Sequence, residues 1–192
     1  MLHLASQSPR RRELLDQLGL RYGVLDVLVE EVRAAGEPPQ SYVSRVAREK
    51  AGAGLLSLGG GAGVVVLGAD TEVVLGDEVF GKPADASEAA AMLRRLSGQT
   101  HQVMSAVWAV SAGRESHRFQ ISEVRFAELD EHAINAYCVG DEWRGKAGGY
   151  AIQGRAAAFI ADLHGSYSGV MGLPLFETAS LLNEYGIELE FV

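Results

Sequence analysis

Val64-Val65-Val66-Leu67-Gly68-Ala69-Asp70-Thr71 is the stretch that decides how this chain folds. From Val64 to Ala69 every residue is apolar or glycine. There is none of the alternation of a strand with one wet face, so the run predicts a strand covered on both faces inside an α/β sheet. Its carboxyl end carries Asp70, and in open α/β sheets ligands gather beyond the carboxyl ends of the strands. A carboxylate there can hold a divalent cation or take a proton from water, or it can be an ordinary turn residue or helix cap.

Working outward, Leu2 to Ala5 reads as a short strand, followed by a polar turn in which Ser8 suits an N-cap and Pro9 the first helical position. The helix runs to about Gly19, with Leu14, Leu15 and Leu18 on one stripe. Tyr22 to Val29 is strand-like, and a second helix spans about Ser41 to Leu56. Gly59-Gly60-Gly61-Ala62-Gly63 precedes a strand and is not followed by Gly-Lys-Ser/Thr, so it reads as a flexible loop and not as a phosphate loop. Thr71 to Leu75 and Glu78 to Phe80 form an expected hairpin around Gly76-Asp77. Asp85 to Leu96 is a helix with Ala89, Met92, Leu93 and Leu96 on one face. Gln102 to Val110 and Phe119 to Phe126 are strands that turn at Ala112-Gly113. Asp130 to Val139 is helical, Tyr150 to Ile152 and Ala156 to Leu163 are strand-like, and Pro174 to Tyr185 is a last helix stopped at Gly186.

The first turn of the first helix carries Arg10, Arg11 and Arg12, although the positive end of a helix dipole favours acidic residues there. Either the arginines are solvated on a surface turn, or an anion offsets them. The Ser6 and Ser8 hydroxyls and free backbone N–H groups at the same place suit a phosphate. Lys82 stands between Gly81 and Pro83, a fixed backbone that aims a lysine at a ligand or merely holds a loop lysine. Lys50 lies on a helix, where solvent is its default. Glu30-Glu31 ends the second strand and can add a metal ligand or stay solvated.

A length of 192 residues suits one large domain or two small lobes sharing a core, and 47% apolar with 22% charged residues is ordinary globular composition. A formal charge of -8, from 25 acidic and 17 basic residues, argues against a surface that coats nucleic acid but leaves room for a small anionic ligand. The single cysteine, Cys138, forms no internal disulfide and reads as a small buried hydrophobe, and a reducing compartment fits best. Met1 to Ala5 carries no export-signal pattern, and no apolar run approaches the ~20 residues that span a bilayer. These features predict a cytoplasmic protein away from membranes. The histidines form neither His-x-x-x-His nor His-Glu-x-x-His, and no Gly-x-Ser-x-Gly occurs, so zinc and serine hydrolases are disfavoured.

Ala5-Ser6-Gln7-Ser8-Pro9-Arg10-Arg11, Arg48-Glu49-Lys50-Ala51, Gly68-Ala69-Asp70-Thr71, Gly81-Lys82-Pro83, Ser97 to Val103, Lys146-Ala147-Gly148, Tyr150 to Gly154, Gly165-Ser166-Tyr167 and Gly172-Leu173-Pro174-Leu175 with Glu177-Thr178 resemble, in order, the Maf family of nucleotide pyrophosphatases. The resemblance implies a single domain over residues 1–192 with an elongated mixed β-sheet, flanking helices and two lobes around a central cleft, in the manner of inosine triphosphate pyrophosphatases. It implies a homodimer and hydrolysis of nucleoside triphosphates between the α and β phosphates with a divalent cation such as Mg²⁺, Mn²⁺ or Co²⁺. By position, Asp70 resembles the proton acceptor, and Ser8, Arg11, Lys50 and Lys82 the phosphate contacts. Arg10, Thr71 and Gln153 resemble the base-selecting residues, Arg10 serving as a phosphate clamp as well, and Glu31 resembles the second acidic group at the metal beside Asp70.

Gly-Ala-Asp-Thr paired with Ile-Gln-Gly resembles the branch acting on thymidine and uridine triphosphates, a house-cleaning role that can extend to modified pyrimidines. The Gln153 amide both donates and accepts, as an imide edge requires. The other role the resemblance implies is a nucleotide-binding regulator of septum formation with incidental hydrolysis. Ser105 stands where Thr is usual in the family, Gly149 where Ala is common, and Trp143-Arg144 replaces a Pro-containing lead into Lys146.

Overall fold

The computed structural model describes residues 1–189. Seven strands form one mixed sheet, built from β1 (Leu2–Ala5), β2 (Tyr22–Leu25), β3 (Val65–Leu75), β4 (Glu78–Phe80), β5 (Thr100–Ser111), β6 (Arg114–Phe126) and β7 (Ile160–His164). The order is β2-β1-β3-β5-β6-β7, with β4 beside β3. β2, β1 and β3 run parallel, and the pairs from β3 to β7 are antiparallel. The helices are α1 (Pro9–Asp16), α2 (Pro39–Ser57), α3 (Ala86–Leu96), α4 (Glu131–Cys138), α5 (Tyr167–Met171) and α6 (Leu175–Asn183). Among the described residues no helix is long and apolar enough to cross a membrane.

The apolar run does fold as a strand buried on both faces, but it does not end at Asp70. β3 continues through Asp70 to Leu75, so the expected break before Thr71 is absent and Asp70 sits in mid-strand. Glycine and aspartate suggest a turn in isolation. Here β5 pairs continuously from Val66↔Val110 to Val74↔Gln102 and carries the strand through them. The other edge of β3 behaves differently. β1 pairs it only from Val65 to Leu67, and β4 pairs it only from Val73 to Leu75. Gly68 to Glu72 therefore have no strand on that side, and this gap in the sheet divides the protein into two lobes.

Three apolar clusters follow from the two-residue period of the strands. Leu67 and Ala69 face Leu14 and Leu15 of α1 and Leu181 and Leu182 of α6. On the opposite face, Val74, Met104 and Ala106 pack under Tyr42, Val43, Val46 and Ala47 of α2. The second lobe collects Val73, Phe80, Leu93, Leu96, Phe126, Ile134, Tyr137, Trp143 and Tyr150. Cys138 is free and buried, as its apolar neighbours suggest.

Several strand expectations differ in extent. β6 begins at Arg114 and not at Phe119, because β5 pairs it from the turn onward, starting at Ser111↔Arg114. β2 stops at Leu25 and not at Val29, because its partner β1 ends at Ala5, opposite Leu25. Tyr150 to Ile152 is not a strand. The left-handed Gly148 and Gly149 (φ 68° and 71°) turn the chain so that Tyr150 packs inward on His101 and Phe126. Arg155–Phe159 is a 3₁₀ helix, since three successive alanines supply no β-branched side chain, and pairing begins at Ile160.

In the second lobe, His101 is 1% exposed. Its Nε2 lies 2.8 Å from the Tyr150 hydroxyl, its Nδ1 has no partner among the described residues, and its ring stands edge-on to Phe126. Burial lowers the imidazole from 6.5 to about 4, so it is neutral in the folded protein at pH 7. The unfolded chain takes up this proton as pH falls from 6.5 towards 4, while the folded chain does not, so acid favours unfolding in that window. At about 1.4 kcal/mol per pH unit, the stability difference between the unmodified protein and His101→Gln should fall by about 1–3 kcal/mol between pH 7 and pH 4. Urea titrations at both pH values read it, and a difference that does not vary with pH contradicts the assignment.

Candidate active site

The gap in the sheet opens into a cleft of about 530 Å³. Its walls come from both lobes. Ser6 to Arg11 leave the end of β1, and Val27, Leu28, Val29 and Glu31 follow β2. Lys50 reaches in from α2, Asp70, Thr71 and Val73 from β3, and Lys82 from the turn after β4. Arg144 to Ala147, Tyr150 to Gln153 and Val170 to Gly172 close the far side. Because the edge of β3 is open here, side chains from both faces of the strand reach one space.

On the α2 face an ionic cluster forms. The Lys50 ammonium is buried, donating to Asp70 Oδ1 at 2.8 Å and to Glu31 Oε1 at 2.6 Å. Lys82 donates to the other Glu31 oxygen. Burial works to raise the Glu31 carboxyl, but the hydrogen bonds and charges of the two lysines overcome it and hold it at about 2. Asp70 Oδ2 is buried and has no partner among the described residues. A buried oxygen left bare on a carboxylate whose other oxygen is held by Lys50 suits a water, a cation or a protonated ligand oxygen.

On the opposite face the arginines are held by carbonyls. Arg11 Nε donates to Gly172 O at 2.8 Å and Arg10 Nε to Met171 O at 3.3 Å, and both arginines line the cleft. Burial lowers both guanidinium pKa values. Ser8 occupies the N-cap of α1 in an extended conformation, yet its side chain caps nothing and the first turn contains no acid. The donors of that turn are thus unclaimed by the cap side chain, an arrangement that suits an oxyanion.

The family model described as "Maf-like protein" matches residues 1–185 of this sequence. The chain belongs to the Maf family. A dTTP/UTP pyrophosphatase of Xanthomonas axonopodis pv. citri (strain 306) is 56% identical over 188 residues, which is 97% of this Maf chain and 99% of that protein. A nucleoside triphosphate pyrophosphatase of Xylella fastidiosa (strain M23) is 55% identical over 183 residues, covering 95% of this chain and 97% of that one. The solved Staphylococcus aureus Ham1 protein aligns with 66% of this chain and 72% of its own, at 15% identity and a TM-score of 0.48.

Ser8, Arg10, Arg11, Glu31, Lys50, Asp70, Thr71, Lys82 and Gln153 all line this one cleft of the Maf chain, whereas Arg12 and Glu30 are not among its lining residues. Lys50 is the least obvious of them, since helical lysines usually face water. It is brought inward because Ala47, Lys50 and Ala51 share the face of α2 that lies on β3. A Cβ built on Gly68 would stand 2.3 Å from Ala47 O and 2.5 Å from Ala51 N, so only glycine admits α2 this close. Two residues on, and on the same face of the strand, Asp70 meets the lysine.

Two further buried polar residues, Glu72 and Ser105, stand behind the residues that line the cleft. Glu72, again two residues along the same face, is 6% exposed, and burial followed by the Asp70 charge raises its carboxyl to about 8. The signal for it is the strand period, hidden by the hairpin expected to begin at Thr71. Ser105 is 1% exposed and lies directly opposite Thr71 across the β3–β5 pair.

Gly68→Ala forces α2 away from β3 and should cost about 1–3 kcal/mol of stability. It also carries Lys50 away from Asp70. Urea unfolding and steady-state turnover should fall together in this variant. An unchanged unfolding midpoint contradicts the close approach.

Proposed function

We propose that this protein hydrolyses nucleoside triphosphates, chiefly thymidine and uridine triphosphates, to the monophosphate and pyrophosphate. One observation carries the reading: a single cleft is lined by Asp70, whose buried Oδ2 has no partner among the described residues, together with the four cations Arg10, Arg11, Lys50 and Lys82. The preference for the two pyrimidine nucleotides is supported by the name of the Xanthomonas relatives and by the presence of Thr71 and Gln153 on the cleft wall.

In this reading the β and γ phosphates lie against the start of α1, where Ser8, Arg11 and the unclaimed backbone donors receive them. Lys50 and Lys82 neutralise charge on the α phosphate side. Asp70 orients a water towards the α phosphorus and takes its proton. The new bond joins the water oxygen to the α phosphorus as the bond to the bridging α–β oxygen breaks, and pyrophosphate leaves. Phosphoryl chemistry of this kind is mainly positioning and charge stabilisation.

The residues also fit a divalent cation. Among the described residues no group of three or more His, Cys, Asp or Glu side chains forms a cage. Mg²⁺, however, commonly takes only one or two carboxylates and completes its shell with phosphate oxygens and water. Asp70 Oδ2 is the available oxygen, and Glu31 is the neighbouring carboxylate joined to Asp70 through Lys50. Held there, the cation supplies charge stabilisation at the phosphate oxygens.

Asp70→Asn keeps the shape of the side chain but removes the proton acceptor. Turnover of uridine triphosphate, measured as released pyrophosphate, should fall by about 10²–10⁴-fold while the circular dichroism spectrum stays the same. Turnover near that of the unmodified protein contradicts the assignment.

A further inference from the structure

We propose that Ser105 is a positioning residue that sets base preference, by fixing the Thr71 hydroxyl as a hydrogen-bond acceptor towards the cleft. The inference rests on the reading above, in which Thr71 faces the base. The antiparallel register puts Thr71 and Ser105 opposite each other, and their hydroxyl oxygens lie 2.8 Å apart. Each hydroxyl has one proton to give. Ser105 Oγ also lies 2.7 Å from the Gly169 carbonyl oxygen, which can only accept.

Two assignments of the protons are possible. If Ser105 donates to Gly169 O, Thr71 must donate to Ser105, and both short bonds are made. If Ser105 instead donates to Thr71, the 2.7 Å bond is lost and the Thr71 proton is left with Gly172 O at 3.4 Å. The first arrangement wins, because hydroxyl bonds weaken steeply beyond their usual length of about 2.7–2.8 Å. Arg11 Nη2, which can only donate, lies 3.5 Å from Thr71 Oγ1 and agrees with it. With its proton spent on Ser105, Thr71 has only lone pairs to offer a ligand.

A polarity fixed in this way discriminates among pyrimidines. Uracil and thymine carry an N–H at ring position 3, whereas cytosine carries a bare acceptor there. An acceptor-only Thr71 matches the first two and faces cytosine lone pair to lone pair. Remove the Ser105 hydroxyl and the Thr71 hydroxyl is free to turn and donate, so cytosine becomes tolerable.

The test compares kcat/KM for uridine and cytidine triphosphates in the unmodified protein and in Ser105→Ala, Ser105→Cys, Ser105→Thr and Thr71→Val. The uridine-to-cytidine ratio should fall about tenfold in Ser105→Ala and Ser105→Cys, the size expected when one polar contact is mismatched. Ser105→Thr, which keeps the hydroxyl, should hold the original ratio. The ratio is taken within one preparation, so partial unfolding of a variant does not move it. A merely structural serine lowers both substrates alike.

If Thr71→Val shifts the ratio and Ser105→Ala and Ser105→Cys leave it unchanged, the role of Ser105 is overturned and the reading of Thr71 stands. If Thr71→Val leaves the ratio unchanged, both fall. Absence of pyrophosphate release from either nucleotide by the unmodified protein overturns the proposed function and this inference with it.

Discussion

Strand β3 belongs to both lobes, and its free edge between Leu67 and Val73 is what makes a site possible. One side of the strand is continuously paired with β5, which keeps it straight and buried. On the other side β1 and β4 each take one end, and the middle is left to side chains. An unpaired edge inside a sheet has to be covered. Here the loops after β1 and β2, the turn after β4 and the chain around Tyr150 surround the opening, each bringing polar groups to it. The dense packing of α2 at Gly68 then delivers a lysine to the centre of the gap.

The charges in the cleft are arranged for binding more than for stability. Desolvating an ammonium and two carboxylates is expensive, and the mutual attraction of such groups often only offsets that cost. Lys50 nevertheless stands within hydrogen-bond distance of both Asp70 and Glu31, with one carboxylate oxygen bare. The protein as a whole carries a charge of -8, so an incoming triphosphate meets repulsion except at the cleft, which Arg10, Arg11, Lys50 and Lys82 line. Local concentration of cations, not net charge, selects the ligand.

Much of this is legible from local patterns. The buried run Val64 to Ala69, the helix opened by Ser8-Pro9, and the amphipathic stretch from Asp85 to Leu96 lie where hydrophobic period and capping put them. Arginine is ill suited to a helix N-terminus, and three in one first turn fit either solvated side chains or a bound anion; charge alone does not choose, and of the three only Arg10 and Arg11 line the cleft. The residues around Asp70 point to chemistry but misplace it in the fold, because Gly68 owes its position to a helix packed above it and not to a turn. What no local pattern carries is register. Thr71 and Ser105 are 34 residues apart, and Lys82 and Glu31 are 51 apart. Their meeting depends on how strands pair and where loops return, information spread over the whole sheet.

The central claim is that Asp70 directs water to the α phosphorus. Hydrolysis of uridine triphosphate in water enriched in heavy oxygen tests it most directly, with mass analysis of both products. The account predicts that the label enters the monophosphate and that the pyrophosphate stays unlabelled. Label in the pyrophosphate, or release of single phosphates, contradicts it.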